Sequence, residues 1–162
     1  DCQDGPFDQK SLDGRQDVLV YQTAPLRKSV RMAGRAEIVL HASSSARDTD
    51  FIFKLMDVHP NGFSHQVSYA IVRARYRDGF KCPRLMKPGK IYRFEIRMQP
   101  TSVLFKPGHR IRLDVTSSDF PNFDRNHNVG GGDYADCTLK VAKPTVFHGP
   151  GRLSCIQLPV VG

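Results

Sequence analysis

Four short stretches of this chain carry residue types that could do chemistry. Gly62-Phe-Ser-His-Gln66 sets a serine and a histidine beside a glycine, which are ingredients of a nucleophile elbow. That elbow needs Gly-x-Ser-x-Gly on a strained strand-to-helix turn, so that the hydroxyl stands exposed. Here the second glycine is missing and the flanking pattern is a hairpin, so the stretch reads as a surface turn. His59 and His65 flank the same turn and could face each other across it. Two histidines without a third ligand make weak metal sites, and both are expected at the surface. Asp48-Thr-Asp50 could serve calcium, yet no glutamate or ladder of oxygen ligands accompanies it. It reads as a strand-entry turn in which Asp48 or Asp50 accepts from nearby backbone N–H groups. Gly130-Gly-Gly132 precedes Asp133-Tyr134, not a helix with a lysine, so it is no phosphate cradle. No carboxylate pair stands out for acid–base work. No catalytic residue, metal ligand or cofactor is therefore expected in this chain.

The most informative stretch is Lys106 to Arg125. Pro107-Gly108 supplies a tight turn. Ile111, Leu113 and Val115 then alternate with Arg110, Arg112 and Asp114, as in a half-buried strand. The polar connection that follows carries Phe120 and Phe123 among Asp119, Asn122, Asp124, Arg125 and Asn126. Apolar rings on such a loop pack beneath it or against a partner. Phe120, Asn122, Phe123, Asp124 and Arg125 are thus the candidate interface, with the two rings as anchors and Asp124 and Arg125 fixing the loop by hydrogen bonds. The competing reading has both rings plugging the end of the fold.

The elements that position these residues follow from periodicity. Period-2 alternation recurs and helical period is nearly absent. Strands are expected at Asp17–Thr23, Ala36–Ser44, Phe51–His59, Ser68–Arg77, Ile91–Gln99, His109–Ser117, Thr138–Val146 and Arg152–Val160. Turn signals separate them: Ala33-Gly34, His59-Pro-Asn-Gly62, Asp78-Gly79, Lys87-Pro-Gly89, Lys106-Pro-Gly108 and His148-Gly-Pro-Gly151. Phe51–Leu55 is apolar on both faces and should be a central, doubly covered strand. About eight strands in one domain point to an all-β fold, a jelly-roll β-sandwich of the galactose-binding-domain-like kind. The 162 residues form one domain, with 1–16 as its lead-in. The stretch Phe120–Asp136 is the longest without regular structure, and loops of that length tend to be functional or to lie against another domain.

Composition narrows the class. The chain is 40% hydrophobic and 25% charged, which is globular rather than disordered. No apolar run reaches the roughly 18 residues a membrane helix needs. A net charge of +8 invites nucleic acid, but the basic residues alternate along strands. Arg73, Arg75 and Arg77 interleave with Val72, Ala74 and Tyr76, and Arg93 and Arg97 with Tyr92, Phe94 and Ile96. These read as solvated strand faces, or as faces answered by acidic groups of the same molecule, so neither nucleic acid nor membrane is the expected partner. Cys2, Cys82, Cys137 and Cys155 are widely spaced with no C-x-x-C pair, which predicts free thiols and a reducing, cytoplasmic setting. Asp1 is no initiator methionine, which predicts a start within a longer polypeptide or after processing.

Several motifs, in order, are more specific than any of this. They are Asp17-Val-Leu-Val-Tyr-Gln-Thr23, Ser43-Ser-Ser-Ala-Arg-Asp-Thr-Asp-Phe51 and Lys54-Leu-Met-Asp-Val-His-Pro-Asn-Gly62. Ile71-Val-Arg-Ala-Arg-Tyr-Arg77, Pro107-Gly-His-Arg-Ile-Arg-Leu-Asp-Val-Thr-Ser-Ser118, Phe120-Pro-Asn-Phe-Asp-Arg-Asn126 and Leu158-Pro-Val-Val161 follow. Together, from about Gly5 to Val161, they resemble the C-terminal domain of the cocaine esterase / X-Pro dipeptidyl-peptidase family of serine hydrolases. The resemblance implies a parent enzyme with an α/β-hydrolase domain, a helical cap and a C-terminal jelly roll, cleaving esters, amides or X-Pro dipeptides. Its triad would lie wholly upstream, so no catalytic residue carries over to this chain. The implied partner is the upstream α/β-hydrolase domain of the same polypeptide, with dimer contacts in some members. The implied role is to pack on that domain and support one wall of the substrate cleft. The alternative is a free-standing carbohydrate-binding jelly-roll module, though the chain has no tryptophan and only five tyrosines to stack on a sugar.

Overall fold

A computed structural model describes residues 8–132 and 137–162. Ten strands form: β1 (Val18–Gln22), β2 (Val30–Gly34), β3 (Glu37–Ser44), β4 (Asp50–Val58), β5 (Ser64–Arg73), β6 (Tyr92–Arg97), β7 (Thr101–Phe105), β8 (Arg110–Thr116), β9 (Pro144–Val146) and β10 (Cys155–Gln157). All pairings are antiparallel, in a β1-β8-β4-β5 sheet, a β10-β3-β6 sheet with β9 also on β3, and a β2-β7 ribbon. The two larger sheets face each other across one core, an all-β sandwich of the jelly-roll kind. Alternation sets its content. Phe51, Phe53 and Leu55 of β4 and Val115 of β8 meet Ile38, Leu40 and Ala42 of β3 and Phe94 and Ile96 of β6. The rings of Phe51 and Phe94 lie 5.1 Å apart across the layer.

Two strands differ from the expected set by being additional. β2 and β7 each show a short alternation, with Met32 and Phe105 fully buried. They pair with each other, and Ala33-Gly34, expected as a turn, ends β2. Thr138–Val146 shrinks to three strand residues, Pro144–Val146, and the last strand to Cys155–Gln157. Strand β5 starts earlier than expected and breaks into a 3-10 turn at Ala74–Tyr76. Asp8 opens the described lead-in: it accepts from the Ser64 N–H at 3.0 Å and from the Lys10 N–H at 3.1 Å, heading the 3-10 turn Gln9–Leu12. Those bonds hold its carboxyl below the ordinary carboxylate range.

The central strand β4 is buried from Asp50 through Asp57, because β5 and β8 flank it and both faces are covered. Its core face is aromatic, whereas its other face carries Ile52, Lys54 and Met56, also buried. Lys54 sits opposite Asp114 in the β4–β8 register, and its ammonium reaches Asp119 at 2.7 Å. Asp114 is in turn held by the buried Arg112 at 2.7 and 2.9 Å, and Arg112 also reaches Asp13 of the lead-in. These carboxylates raise the Arg112 pKa against the desolvation that lowers it. An ion buried this way is stable only while its partner remains, since an uncompensated charge costs several kcal/mol.

Two outcomes follow from this packing. Phe53→Ala should cost about 3–5 kcal/mol in guanidinium unfolding, the range for a fully buried aromatic. Lys54→Met alone should cost about 3–5 kcal/mol, and Asp119→Asn added to it should restore a large part of that loss. A double-mutant cycle with no coupling between the two positions would contradict the buried pair.

Candidate docking surface

The loop after β8 is held at both ends. Lys54 pins its start through Asp119, and Asp119 accepts in addition from Asn122 Nδ2 at 3.4 Å and, through its carbonyl, from the Phe123 N–H at 3.2 Å. Its far end is tied by Asn126, whose side-chain amide donates to Asp48 Oδ2 at 3.1 Å and to Asp50 Oδ1 at 2.7 Å. One amide nitrogen thus serves two buried carboxylates with its two hydrogens. Between these ties the two rings part company. Phe120, joined to Pro121 by a cis peptide, is 58% exposed. Phe123 is half-buried, its ring 6.1 Å from that of Tyr69. Asp124 and Arg125 are exposed; the Asp124 carbonyl accepts from Arg73 at 3.4 Å. The side chain of their neighbour Asn126 ties the loop to the start of β4.

Asp48 and Asp50 hold more than the loop. Asp50 makes a two-pronged bond with Arg73 at 2.9 and 3.0 Å. Asp48, fully buried, accepts from the Arg75 N–H at 2.9 Å and from its guanidinium at 2.6 Å. Arg75 then donates to the Gly131 carbonyl at 3.0 Å. Of the two readings open for Arg73 and Arg75, a solvated face or one answered by acidic groups of the same molecule, the second holds. Asp48, just before β4, and Asp50, its first residue, answer them, and charge-assisted forks of this kind are short and directional. The glycine run has a steric reason at one position: a Cβ on Gly130 would sit 2.8 Å from Leu85, at a φ of +82°. Asp133 and Tyr134 lie outside the described residues. Arg93 and Arg97, by contrast, are exposed and pair with Glu95 and Glu37.

A second feature had no signal in the sequence. β1 is an edge strand, and its core-facing Leu19 and Tyr21 are 44% and 37% exposed. Beneath Tyr21 an apolar cleft of about 660 Å³ opens between the sheets, lined by Ile111, Leu113, Val146, Ile156 and Leu158 among others. Tyr21 Oη and His148 Nε2 meet at 2.8 Å on its rim, and burial pushes the Tyr21 phenol above its ordinary pKa.

The residues weighed as chemistry fall apart as catalysts. Ser64 is buried inside β5, with its N–H on Asp8. His59 does not meet His65; the Phe63 ring lies 5.3 Å from His59 and 6.2 Å from His65. His59 instead stacks on His109 at 4.4 Å, beside Asp57. Among the described residues no serine hydroxyl bonds a histidine ring; Ser154 Oγ accepts only from the His41 backbone N–H, at 2.9 Å. Cys82, Cys137 and Cys155 are free thiols, and Cys2 lies outside the described residues. No helix among the described residues is long and apolar enough to cross a membrane.

Comparison with known proteins meets this picture. The model of the X-Pro dipeptidyl-peptidase C-terminal non-catalytic domain matches residues 3–156. Cocaine esterase of Rhodococcus sp. (strain MB1 Bresler) is 43% identical over 97% of this chain, which covers 28% of that protein. Among solved structures, an α-amino acid ester hydrolase superposes with a TM-score of 0.92 at 34% identity, over 96% of this chain and 27% of that one. An aminopeptidase from a marine sediment Thaumarchaeota archaeon gives 0.89 at 30% identity, over 97% and 28%. The chain thus spans little more than a quarter of the length of each of these relatives. It belongs to the X-Pro dipeptidyl-peptidase C-terminal non-catalytic domain family of hydrolases.

Proposed function

We propose that this chain is the accessory C-terminal domain of an α/β serine hydrolase, docked on an upstream catalytic domain of the same polypeptide and supporting one wall of its substrate cleft. The observation that carries this reading is the match along nearly the whole chain to a non-catalytic domain that fills only 28% of cocaine esterase. The substrate class follows the names of the relatives, an ester or an amide. The same match favours this reading over a free-standing carbohydrate-binding module.

Two surfaces suit the docking. Phe120 is an apolar ring held out on a loop already fixed by Lys54–Asp119 and Asn126–Asp48/Asp50, so little conformational freedom is lost when a partner covers it. The β1 edge, with Leu19 exposed and Tyr21 over the apolar cleft, shows side chains that a sandwich ordinarily buries, and the upstream domain is the occupant we assign to it. Phe123 serves the loop itself, through its packing near Tyr69.

The full-length polypeptide separates docking from folding. Phe120→Ala should leave the isolated chain within about 0.5 kcal/mol of its parent in unfolding, as for a surface substitution. In the full-length enzyme the same change should raise KM or lower Tm. Unchanged kinetics and an unchanged Tm in the full-length Phe120→Ala enzyme would remove Phe120 from the interface.

A further inference from the structure

At the end of β4 remote from the Phe120 loop, the fold gathers a group that neither the docking role nor the hydrolase chemistry uses. The alternation that aims Phe53 and Leu55 into the core carries Asp57 to the same face. On β8 the same alternation runs back from Leu113 and Ile111 to His109, and Asp57 lies opposite Ile111 in the register. His59 follows one step beyond Asp57. The three side chains converge where the β4–β5 turn nears the β7–β8 turn, so close that a Cβ on Gly108 would lie 3.5 Å from the Pro60 ring. Both turns are closed by hydrogen bonds. The Gly62 N–H bonds the His59 carbonyl at 2.9 Å, the His59 N–H bonds the Phe63 carbonyl at 2.9 Å, and Asn61 Oδ1 accepts from the Phe63 N–H at 3.0 Å. The His109 N–H bonds the Lys106 carbonyl at 3.1 Å.

Asp57 is buried, and among the described residues the side chains paired with its carboxylate are the imidazoles of His59 and His109. His109 Nδ1 lies 2.8 Å from Oδ1 and His59 Nε2 3.6 Å from Oδ2. A buried carboxylate requires a compensating positive charge. A divalent ion supplies it and uses both imidazoles as well. The spacing suits this. One donor atom from each residue lies within 4.8 Å of the others, and a tetrahedral zinc ion with ligands at 2.0–2.1 Å needs donors about 3.4 Å apart. Small side-chain rotations about fixed turns close that difference. Imidazole with a single carboxylate selects the zinc, nickel and copper group of ions, whereas calcium and magnesium take oxygen ligands.

We propose that Asp57, His59 and His109 form a three-ligand site for a divalent zinc-class ion, with a fourth position left to water. The ion would clamp the β4–β5 turn to the β7–β8 turn at this end of the sandwich. His59, whose side chain is 35% exposed, provides the entry side. Each ligand must be deprotonated to bind, so zinc uptake competes with protons and weakens on acidification.

The test is titration of the chelator-stripped chain with zinc chloride by calorimetry, and with cobalt(II) by its visible ligand-field bands. One ion per chain is expected, with a cobalt spectrum of nitrogen and oxygen ligation. His59→Ala and His109→Ala should each weaken zinc by more than about 100-fold, beyond the cost of losing an outer hydrogen-bond partner. His65→Ala and His148→Ala should leave binding unchanged. His59→Ala changes a partly exposed turn residue, and circular dichroism verifies its fold. Should His109→Ala fail to fold, Asp57→Asn gives the second reading by keeping shape while removing the charge. Absence of stoichiometric zinc binding by the folded chain would overturn the proposal, as would binding that survives undiminished in His59→Ala and Asp57→Asn.

Discussion

The requirement on which this structure rests is that β4 be covered on every side while carrying charge. β5 and β8 take its two edges, the aromatic layer takes one face, and the lead-in and the β8–β9 connection take the other. Lys54 and the acids at the ends of the strand then sit where water cannot answer them. Each must find a partner from elsewhere in the chain: Lys54 from Asp119, Asp50 from Arg73, Asp48 from Arg75 and Asn126. A loop that looks irregular in sequence is therefore fixed in space by the electrostatics of the strand beneath it. The exposure of Phe120 is a consequence, because the loop is anchored by its polar residues and not by that ring.

The same strand divides the molecule functionally. Its first residues meet the loop network and its last carry Asp57 toward His59 and His109, about 23 Å away at 3.3 Å per residue. The docking we propose through Phe120 and the open β1 edge would use the sides of the sandwich near the start of the strand and along the cleft. The histidine cluster belongs to the opposite pole, where two tight turns hold its side chains in place. The proposed accessory role would call for position and rigidity, and neither demands a reactive nucleophile.

Much of the fold was legible in the chain, because alternation and turn chemistry act locally. Phe51–Leu55 declared itself as the doubly covered strand by having no polar face over five residues apart from Lys54. β2 and β7 were missed because each offers only about two turns of the alternation, with Arg31 or Ser102 between buried positions, and each depends on the other for pairing. Thr138–Val146 alternates as strongly as a strand, yet only Pro144–Val146 finds a partner, at the end of β3. At the candidate surface, the two phenylalanines were visible but their difference was not. Which ring is covered depends on Tyr69, more than fifty residues earlier, and on the bonds of Asn126. The alternation of Arg73 and Arg75 leaves two readings open for the same reason, since the acids that decide between them, Asp48 and Asp50, stand at the start of the neighbouring strand. His109 lies fifty residues from His59, so no local spacing could join them.

The central claim is that this domain has no catalytic machinery of its own. The direct measurement is exposure of the purified chain to p-nitrophenyl acetate and to a fluorophosphonate probe, beside the full-length polypeptide. The account predicts that the full-length protein turns over the ester and is labelled at one serine, while the chain alone does neither. Enzyme-like turnover by the isolated chain, or stoichiometric labelling of one of its serines, would contradict it.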